Sequence, residues 1–431
     1  MVDDQSTGLA QAITSLLSDE WISDQAGKLT VIKRQRKIDP VVLVWTLALG
    51  FTAGAKKTLA SLRRAFEKNT GLSIAASSWR ERFTPDLVVL MRACALQALS
   101  RLAEKYSGSI AENLRGFREV LALDATVLRL AKGLADKFPA SRTNHTEAAA
   151  KLHMMINVVD TTPRRLKICP ESQSDQAAWR RLGGWIKDCL LMFDLGYYDF
   201  NLFRRIERQG GFFLTRLKVN ANPLIVAVND HGPGARRNLV GQTLQEALVG
   251  LQRKIISVTA RFTVKTHVYR GVQQTHMCDW RVIAVRNDET GRYHLYATNV
   301  PNDQLQDGEV SEMYRLRWQV EIFFKMMKTH GRIHHLGCKN NAAVEALIWG
   351  AILAVVTSMK ILQLVRLHNP GRRTPALRFQ EVFGTIAGDL HKEIAARRSH
   401  KPKRDLFDFL LREADDPNQS RITSFNILGF S

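Results

Sequence analysis

The chain is short of the features that define several protein classes. Its 431 residues hold only five cysteines (Cys94, Cys169, Cys189, Cys278, Cys338), far apart and with no Cys-x-x-Cys pair. That excludes a disulfide framework and predicts reduced thiols in a cytosol. Long apolar runs are scarce. Val41 to Phe51 is too short to span a bilayer, and Ala342 to Met359 carries Glu345 and Gly350, so both read as buried helices. The N-terminal Met1-Val-Asp-Asp-Gln has two acids and no basic segment before an apolar core, unlike a signal peptide. Internal repeats and low-complexity tracts are missing as well. Acidic residues are few, 41 against 62 Lys and Arg, for a net charge of +21. An excess of this size concentrates polyanions around the protein, so nucleic acid or an anionic membrane is the expected partner. The 45% hydrophobic content supports a full core, and the length allows about two to four domains.

Residues 1 to 115 carry apolar side chains three and four apart, as in Leu9, Ile13, Leu16 and Leu17, which predicts helices. Asp39-Pro40 is a helix start behind the basic run Lys33, Arg34, Arg36, Lys37. A helix over Thr58 to Asn69, a turn with Ser73 as the next N-cap, and a helix over Ile74 to Phe83 would form a helix-turn-helix pair. Its Ser77, Ser78, Arg80 and Arg82 could face a DNA groove. From Arg118 the pattern turns to strands: Val120 to Leu123 ending in Asp124, Thr126 to Leu130, Lys151 to Val159 and Leu166 to Cys169. A helical stretch over about Asp175 to Lys187 precedes the strand Cys189 to Phe193, which ends in Asp194. Helix Phe200 to Gln209 and strand Gly211 to Leu217 follow. Between Lys218 and Asn299 alternation in Ile255 to Val268, Trp280 to Val285 and Tyr293 to Thr298 predicts a β-rich segment, with turns at Asp230-His-Gly-Pro-Gly and Glu289-Thr-Gly. Helices resume at Glu309. The last sixty residues are basic and helical, with a run from Arg397 to Arg404.

The chemistry concentrates in Glu312 to Lys328, which has no Gly or Pro and predicts a single helix. At about 100° per residue, Tyr314, Arg317, Glu321, Lys325 and Lys328 fall on one stripe. Leu316, Val320, Phe323, Phe324 and Met327 fall on the face that should meet a sheet. Alone, this reads more readily as a surface helix laced by i,i+4 ion pairs such as Glu321 to Lys325. The reading changes when Asp124 and Asp194, each placed at the end of a strand, are set beside Glu321. Three converging carboxylates are what phosphodiester chemistry by two divalent ions needs.

Tyr314-x2-Arg317-x3-Glu321-x6-Lys328 resembles the signature of the DDE transposases of bacterial insertion sequences, in the cut-and-paste group with a β-rich insertion before the final glutamate. Leu123-Asp124-Ala-Thr126 and Asp194-Leu-Gly-Tyr-Tyr198 resemble that group's first and second aspartate motifs, and the likeness runs from about residue 118 to 365. The resemblance implies an α/β fold with a ribonuclease-H-like catalytic core, an all-helical N-terminal domain, a β-rich insertion and a basic helical tail. The boundaries are 1–115 for the helical DNA-binding domain, 116–217 and 295–370 for the core, 218–294 for the insertion and 371–431 for the tail. It further implies Asp124, Asp194 and Glu321 as catalytic residues and ligands of two Mg²⁺ ions, or Mn²⁺. Tyr314, Arg317 and Lys328 would hold phosphates, with Lys325 on the same stripe. Trp318 lies where an aromatic could stack on a flipped base, or else sits in the core. The expected partners are terminal inverted repeats, target DNA and a second copy of the chain in a synaptic dimer. No membrane or small-molecule substrate is expected, and a cytoplasmic, nucleoid-associated location is.

Other residues compete for these roles. Asp160 also follows a strand, although Thr161-Thr-Pro-Arg-Arg reads as a hairpin turn, and Asp199 reads as a helix N-cap. His330, His334, His335 and Cys338 have part of a zinc spacing but lie in a basic loop suited to DNA. Two rival functions share the fold: a Mg²⁺-dependent nuclease without strand transfer, and a DNA-binding repressor, against which the intact acids argue.

Overall fold

A computed structural model describes residues 3–31, 38–54, 58–104, 116–141, 146–159, 162–179, 182–218, 220–229, 239–266, 272–329, 338–369, 372 and 374–395. The basic runs at Lys33 to Lys37 and Arg397 to Arg404, Asp160, the 230–234 turn and His330, His334 and His335 lie outside these residues. The first third is helical: α1 (Asp3–Leu16), α2 (Asp19–Lys28), α3 (Pro40–Leu49), α4 (Leu59–Thr70), α5 (Ala76–Arg80) and α6 (Pro85–Glu104). Asp39 caps α3 as its sequence predicts, accepting from the N–H groups of Val41 at 2.8 Å and Val42 at 3.1 Å. Thr58 caps α4, and Gly71 ends it in the left-handed region at φ 72°. The following helix is shorter than expected, and Ser73 is not its N-cap. The Glu67 carboxylate accepts from the N–H of Ile74 at 2.8 Å while Arg63 donates to its carbonyl at 2.6 Å, which pins Ile74 outside any helix.

The strands are β1 (Glu119–Arg129), β2 (Ala149–Asn157), β3 (Pro163–Pro170), β4 (Cys189–Phe193), β5 (Phe212–Arg216), β6 (Leu224–Val228), β7 (Ile255–Lys265), β8 (Thr275–Arg286) and β9 (Tyr293–Thr298). Between them lie α7 (Asp175–Ala178), α8 (Phe200–Arg208) and α9 (Leu244–Leu248). After them come α10 (Val310–Arg315), α11 (Trp318–Thr329), α12 (Asn341–His368) and α13 (Ala376–Ala395). The nine strands among the described residues form one sheet in the order β3-β2-β1-β4-β5-β9-β8-β7-β6. β3, β2 and β1 are antiparallel, β4 and β5 run parallel to β1, and β9 joins β5 antiparallel through Leu214 and Thr298. The β-rich segment therefore extends the same sheet.

Three expectations are corrected. Among the described residues from Asp175 to Lys187 there are only the one-turn α7 and a 3₁₀ turn at Gly184–Ile186, since Gly183-Gly184 disfavours a continuous helix. β1 does not stop at Asp124. It pairs with β2 from Leu121 to Arg129, which puts Asp124 inside the strand opposite Met154. The run from Glu312 to Lys328 is also two helices, broken at Leu316-Arg317, where N–H groups reach back three residues instead of four.

The sheet is covered on both faces, so β4 is buried at every position and shows no alternation. One face meets the helices. α12 is long and apolar enough to cross a membrane, yet it is largely buried here, packed against α3, α6 and α13. A Cβ at Gly350 would stand 2.6 Å from the Leu47 carbonyl, so the close approach of α12 to α3 requires glycine at this position. The other face meets α7, α8 and an aromatic cluster around Phe203 and Trp280. All five cysteines are free thiols.

Candidate active site

β4 ends at Phe193, which pairs with Leu123, so Asp124 and Asp194 are the next residues beyond the β1–β4 ladder. They share the alternation of Ala122 and Met192, whose side chains belong to the helix-covered face. α11 packs on β1 and β2 at that face, burying Val320, Phe323, Phe324 and Met327 and bringing Glu321 to the same rim.

Two of the three acids are linked by one cation. The Arg317 guanidinium donates from Nη1 to Asp124 Oδ2 at 3.4 Å and from Nη2 to Glu321 Oε1 at 2.7 Å, and its side chain is only 9% exposed. The helix break places it there, because Arg317 lies between α10 and α11 and not on a continuous stripe. Burial alone would pull the guanidinium down, but Tyr314, Glu321, Asp124 and Asp194 outweigh it and keep it charged. Asp124 is pushed up to about 6, chiefly by burial. The Ala125 N–H, at 2.7 Å from its Oδ1, and Arg317 pull the other way, while Asp194 and Glu321 add repulsion. Asp194 and Glu321 are thus close enough to Asp124 for their charges to act on it.

The remaining predicted residues are less alike. Tyr314 is buried, with its hydroxyl donating to the Phe193 carbonyl at 3.0 Å and its ring under Arg317 at 5.7 Å, and burial raises it to about 12. That bond ties α10 to the end of β4, one residue before Asp194. Trp318 is 61% exposed, which removes the buried-core alternative for it. Lys325 is exposed. Lys328 is half-buried and shifted down by burial, with Arg129 adding repulsion and Asp124 opposing both. Asp199 caps α8 by accepting from the Asn201 N–H at 2.9 Å. Cys338 is half-buried.

Two further cations carry no local motif: Arg129, which faces Lys328 and pairs with Glu171 at 2.8 Å, and Arg216 at the end of β5, 3.2 Å from His294. Only their strand-end positions could have marked them. For a divalent ion the donor chemistry fits: three hard carboxylates, one of them with a raised pKa that a cation would reverse. Among the described residues no three His, Cys, Asp or Glu side chains stand close enough to enclose an ion as the chain lies, and the guanidinium occupies the space between two of the acids.

The family profile described as "Transposase DDE domain" matches residues 115–357. The chain is similar to the transposase for insertion sequence element IS231B of Bacillus thuringiensis subsp. berliner, 21% identical over 99% of this chain and 96% of that protein. It is similar also to the transposase for IS231E of Bacillus thuringiensis subsp. finitimus, 22% identical over 83% of this chain and 80% of that protein. Among solved structures, a cryo-EM piggyBac transposase synaptic complex with hairpin DNA aligns with TM-score 0.48 and 10% identity over 97% of this chain and 87% of that one.

Proposed function

Because the chain belongs to the DDE transposase family and is a transposase of insertion-sequence type, we propose that it binds the terminal inverted repeats of its element, cuts them and joins the 3′-hydroxyls to target DNA. The observation that carries this reading is the convergence of Asp124, Asp194 and Glu321 on one rim, with Arg317 between two of them. The order β3-β2-β1-β4-β5, three antiparallel strands followed by two parallel ones, supports a ribonuclease-H-like core over 116–217 and 295–370. On this reading 1–115 is a helical DNA-binding domain, 218–294 an insertion and 371–431 a basic tail.

The family uses divalent metal ions. Asp124, Asp194 and Glu321 would hold two Mg²⁺ here, or Mn²⁺, once Arg317 withdraws from the carboxylates. Bound there, the ions supply Lewis-acid activation of the attacking oxygen and neutralise charge on the leaving one. The chain's own groups do the rest. Arg317 and Lys328 hold phosphates beside the scissile bond, Lys325 and the exposed Trp318 extend that contact along α11, and Tyr314 keeps α10 seated on β4. Water is the first nucleophile and the freed 3′-hydroxyl the second, with a hairpin releasing the other strand. The whole acts in a synaptic homodimer in the cytoplasm, associated with the nucleoid.

Glu321→Gln tests this. It keeps size and hydrogen bonding but removes a ligand, so cleavage of end DNA should fall by at least about 10³-fold while gel-shift binding persists. Asp124→Asn and Asp194→Asn should be equally inactive and add nothing in combination, as groups that act as one unit do. A surface ion pair would make Glu321→Gln nearly silent, and parent-rate cleavage by this variant overturns the reading.

A further inference from the structure

β2 touches the site from both of its faces. Its backbone pairs Met154 with Asp124, while the neighbouring His153 and Lys151 project to the opposite side of the sheet. His153 is fully buried there, and its Nδ1 lies 2.7 Å from the Tyr197 hydroxyl, the two rings meeting edge to face at 5.9 Å. Tyr197 closes the turn that begins at Asp194, its N–H donating to the Asp194 carbonyl at 3.0 Å. Lys151 donates to Asp175 at 2.8 Å, and Asp175 in turn faces Gly196 so closely that a Cβ there would sit 2.9 Å from its Oδ2. One strand therefore holds Asp124 through its backbone and the Asp194 turn through two side chains.

We propose that His153 and Lys151 are positioning residues that fix Asp194 relative to Asp124 through Tyr197 and through the Asp175–Gly196 contact. The proposal rests on the transposase reading above, in which the two aspartates act together. The β1–β4 ladder ends one residue short of both carboxylates, and the Tyr314 hydroxyl reaches only the Phe193 carbonyl, so neither holds Asp194 itself. Beyond that point the turn is held at its far end, where Gln176 Nε2 donates to the Tyr198 carbonyl at 3.0 Å. Contacts at Gly196 and Tyr197 hold the residues between, and partners of this kind behind a ligand commonly govern affinity and rate by about 10–100-fold.

The test uses the full chain. Tyr197→Phe keeps the buried ring and removes only the hydroxyl. It should weaken Mn²⁺ binding by calorimetry about tenfold and raise the metal concentration for half-maximal cleavage equally. Its melting temperature should fall only by the few degrees that an unpaired His153 costs, leaving it folded at assay temperature, and its binding of end DNA without metal should match the parent. Gly196→Ala, made at an exposed backbone position, should give the same shift and serves if Tyr197→Phe does not fold. His153→Gln, whose amide can still meet the phenol, should retain more metal affinity than His153→Leu. Parent metal affinity and cleavage in Tyr197→Phe and Gly196→Ala would overturn the proposal. So would a loss of activity that follows only the loss of folded protein. Asp194→Asn is the control for the underlying reading: if it still cleaves, that reading fails, whereas an inactive Asp194→Asn beside a parent-like Tyr197→Phe removes the brace alone.

Discussion

On the face under α11 and α12 the sheet meets mostly Leu, Ile, Val, Met and Ala, and its rim carries Asp124, Asp194 and Glu321. On the opposite face the strands present Phe193, Phe213, Phe262 and Trp280 to Tyr197 and to Phe203 of α8, and these rings stack and cross at 4.7 to 6.3 Å. The comparison separates two jobs. Aliphatic side chains on helices interlock closely but leave the strand ends open, which is where polar groups can emerge to meet a large substrate. Aromatic rings have few rotamers and large area, so they form a stiff wall behind the strands.

The sharpest way to break this comparison is to open the aromatic wall. Phe203 is fully buried, stacked on Phe213 at 4.7 Å and edge-on to Trp280. Phe203→Ala should cost about 3–5 kcal/mol in a denaturant titration, while cleavage per folded molecule stays within severalfold of the parent. A variant that keeps its stability but loses cleavage would mean that this face takes part in chemistry directly.

Acid sensitivity comes next in size. His391 of α13 is buried against Thr46 at 2.9 Å and Asn69 at 2.6 Å, and burial lowers it from 6.5 to about 4. Between those values the unfolded chain binds the proton and the folded one does not. The stability is therefore complete above about pH 6.5 and is lost as pH falls toward 4, by about 3 kcal/mol at 1.36 kcal/mol per unit. Asp124 has the opposite sign. Raised from 3.8 to about 6, it destabilises the metal-free fold as pH rises through that window. Thermal melts from pH 4 to 8 should show His391→Gln flattening the acid limb and Asp124→Asn raising the neutral plateau, by about 1–2 kcal/mol once the lost Arg317 contact is counted. A parent-like acid limb in His391→Gln would remove the bundle from this account.

The smallest effect lies along α11. Lys328, half-buried beside the acids, should contribute about 1–3 kcal/mol to end binding as a charge-assisted contact. The exposed Lys325 should contribute under about 1 kcal/mol. Each should lower the salt slope of binding by about 0.9 if it meets a phosphate. Equal losses for Lys325→Ala and Lys328→Ala would erase the distinction between rim and surface.

Much of the fold was legible wherever a local rule acted alone. Asp39-Pro40 marked a helix start because capping needs only adjacent residues, and Tyr293 to Thr298 read as a strand to the residue because alternation is a property of the segment itself. The helix expected over Phe200 to Gln209 behind the Asp199 cap forms over Phe200–Arg208. Less was legible where a distant partner decides. Nothing between Glu312 and Lys328 announces the break at Leu316-Arg317, and nothing in Thr126 to Leu130 says that β1 passes through Asp124 without ending, since that depends on pairing with β2.

The sequence by itself determined which residue types exist in which order: two aspartates after apolar runs, a glutamate among cations on a helix, and an excess of positive charge to draw in a polyanion. These are local or summed properties, readable from neighbours and composition. The tertiary structure decided that Arg317 stands between Asp124 and Glu321, that Tyr314 is bound to the Phe193 carbonyl, and that His153 reaches Tyr197 across 44 positions of chain. Such contacts form only when strand register and helix packing close long loops, and no pattern within a short window carries that information.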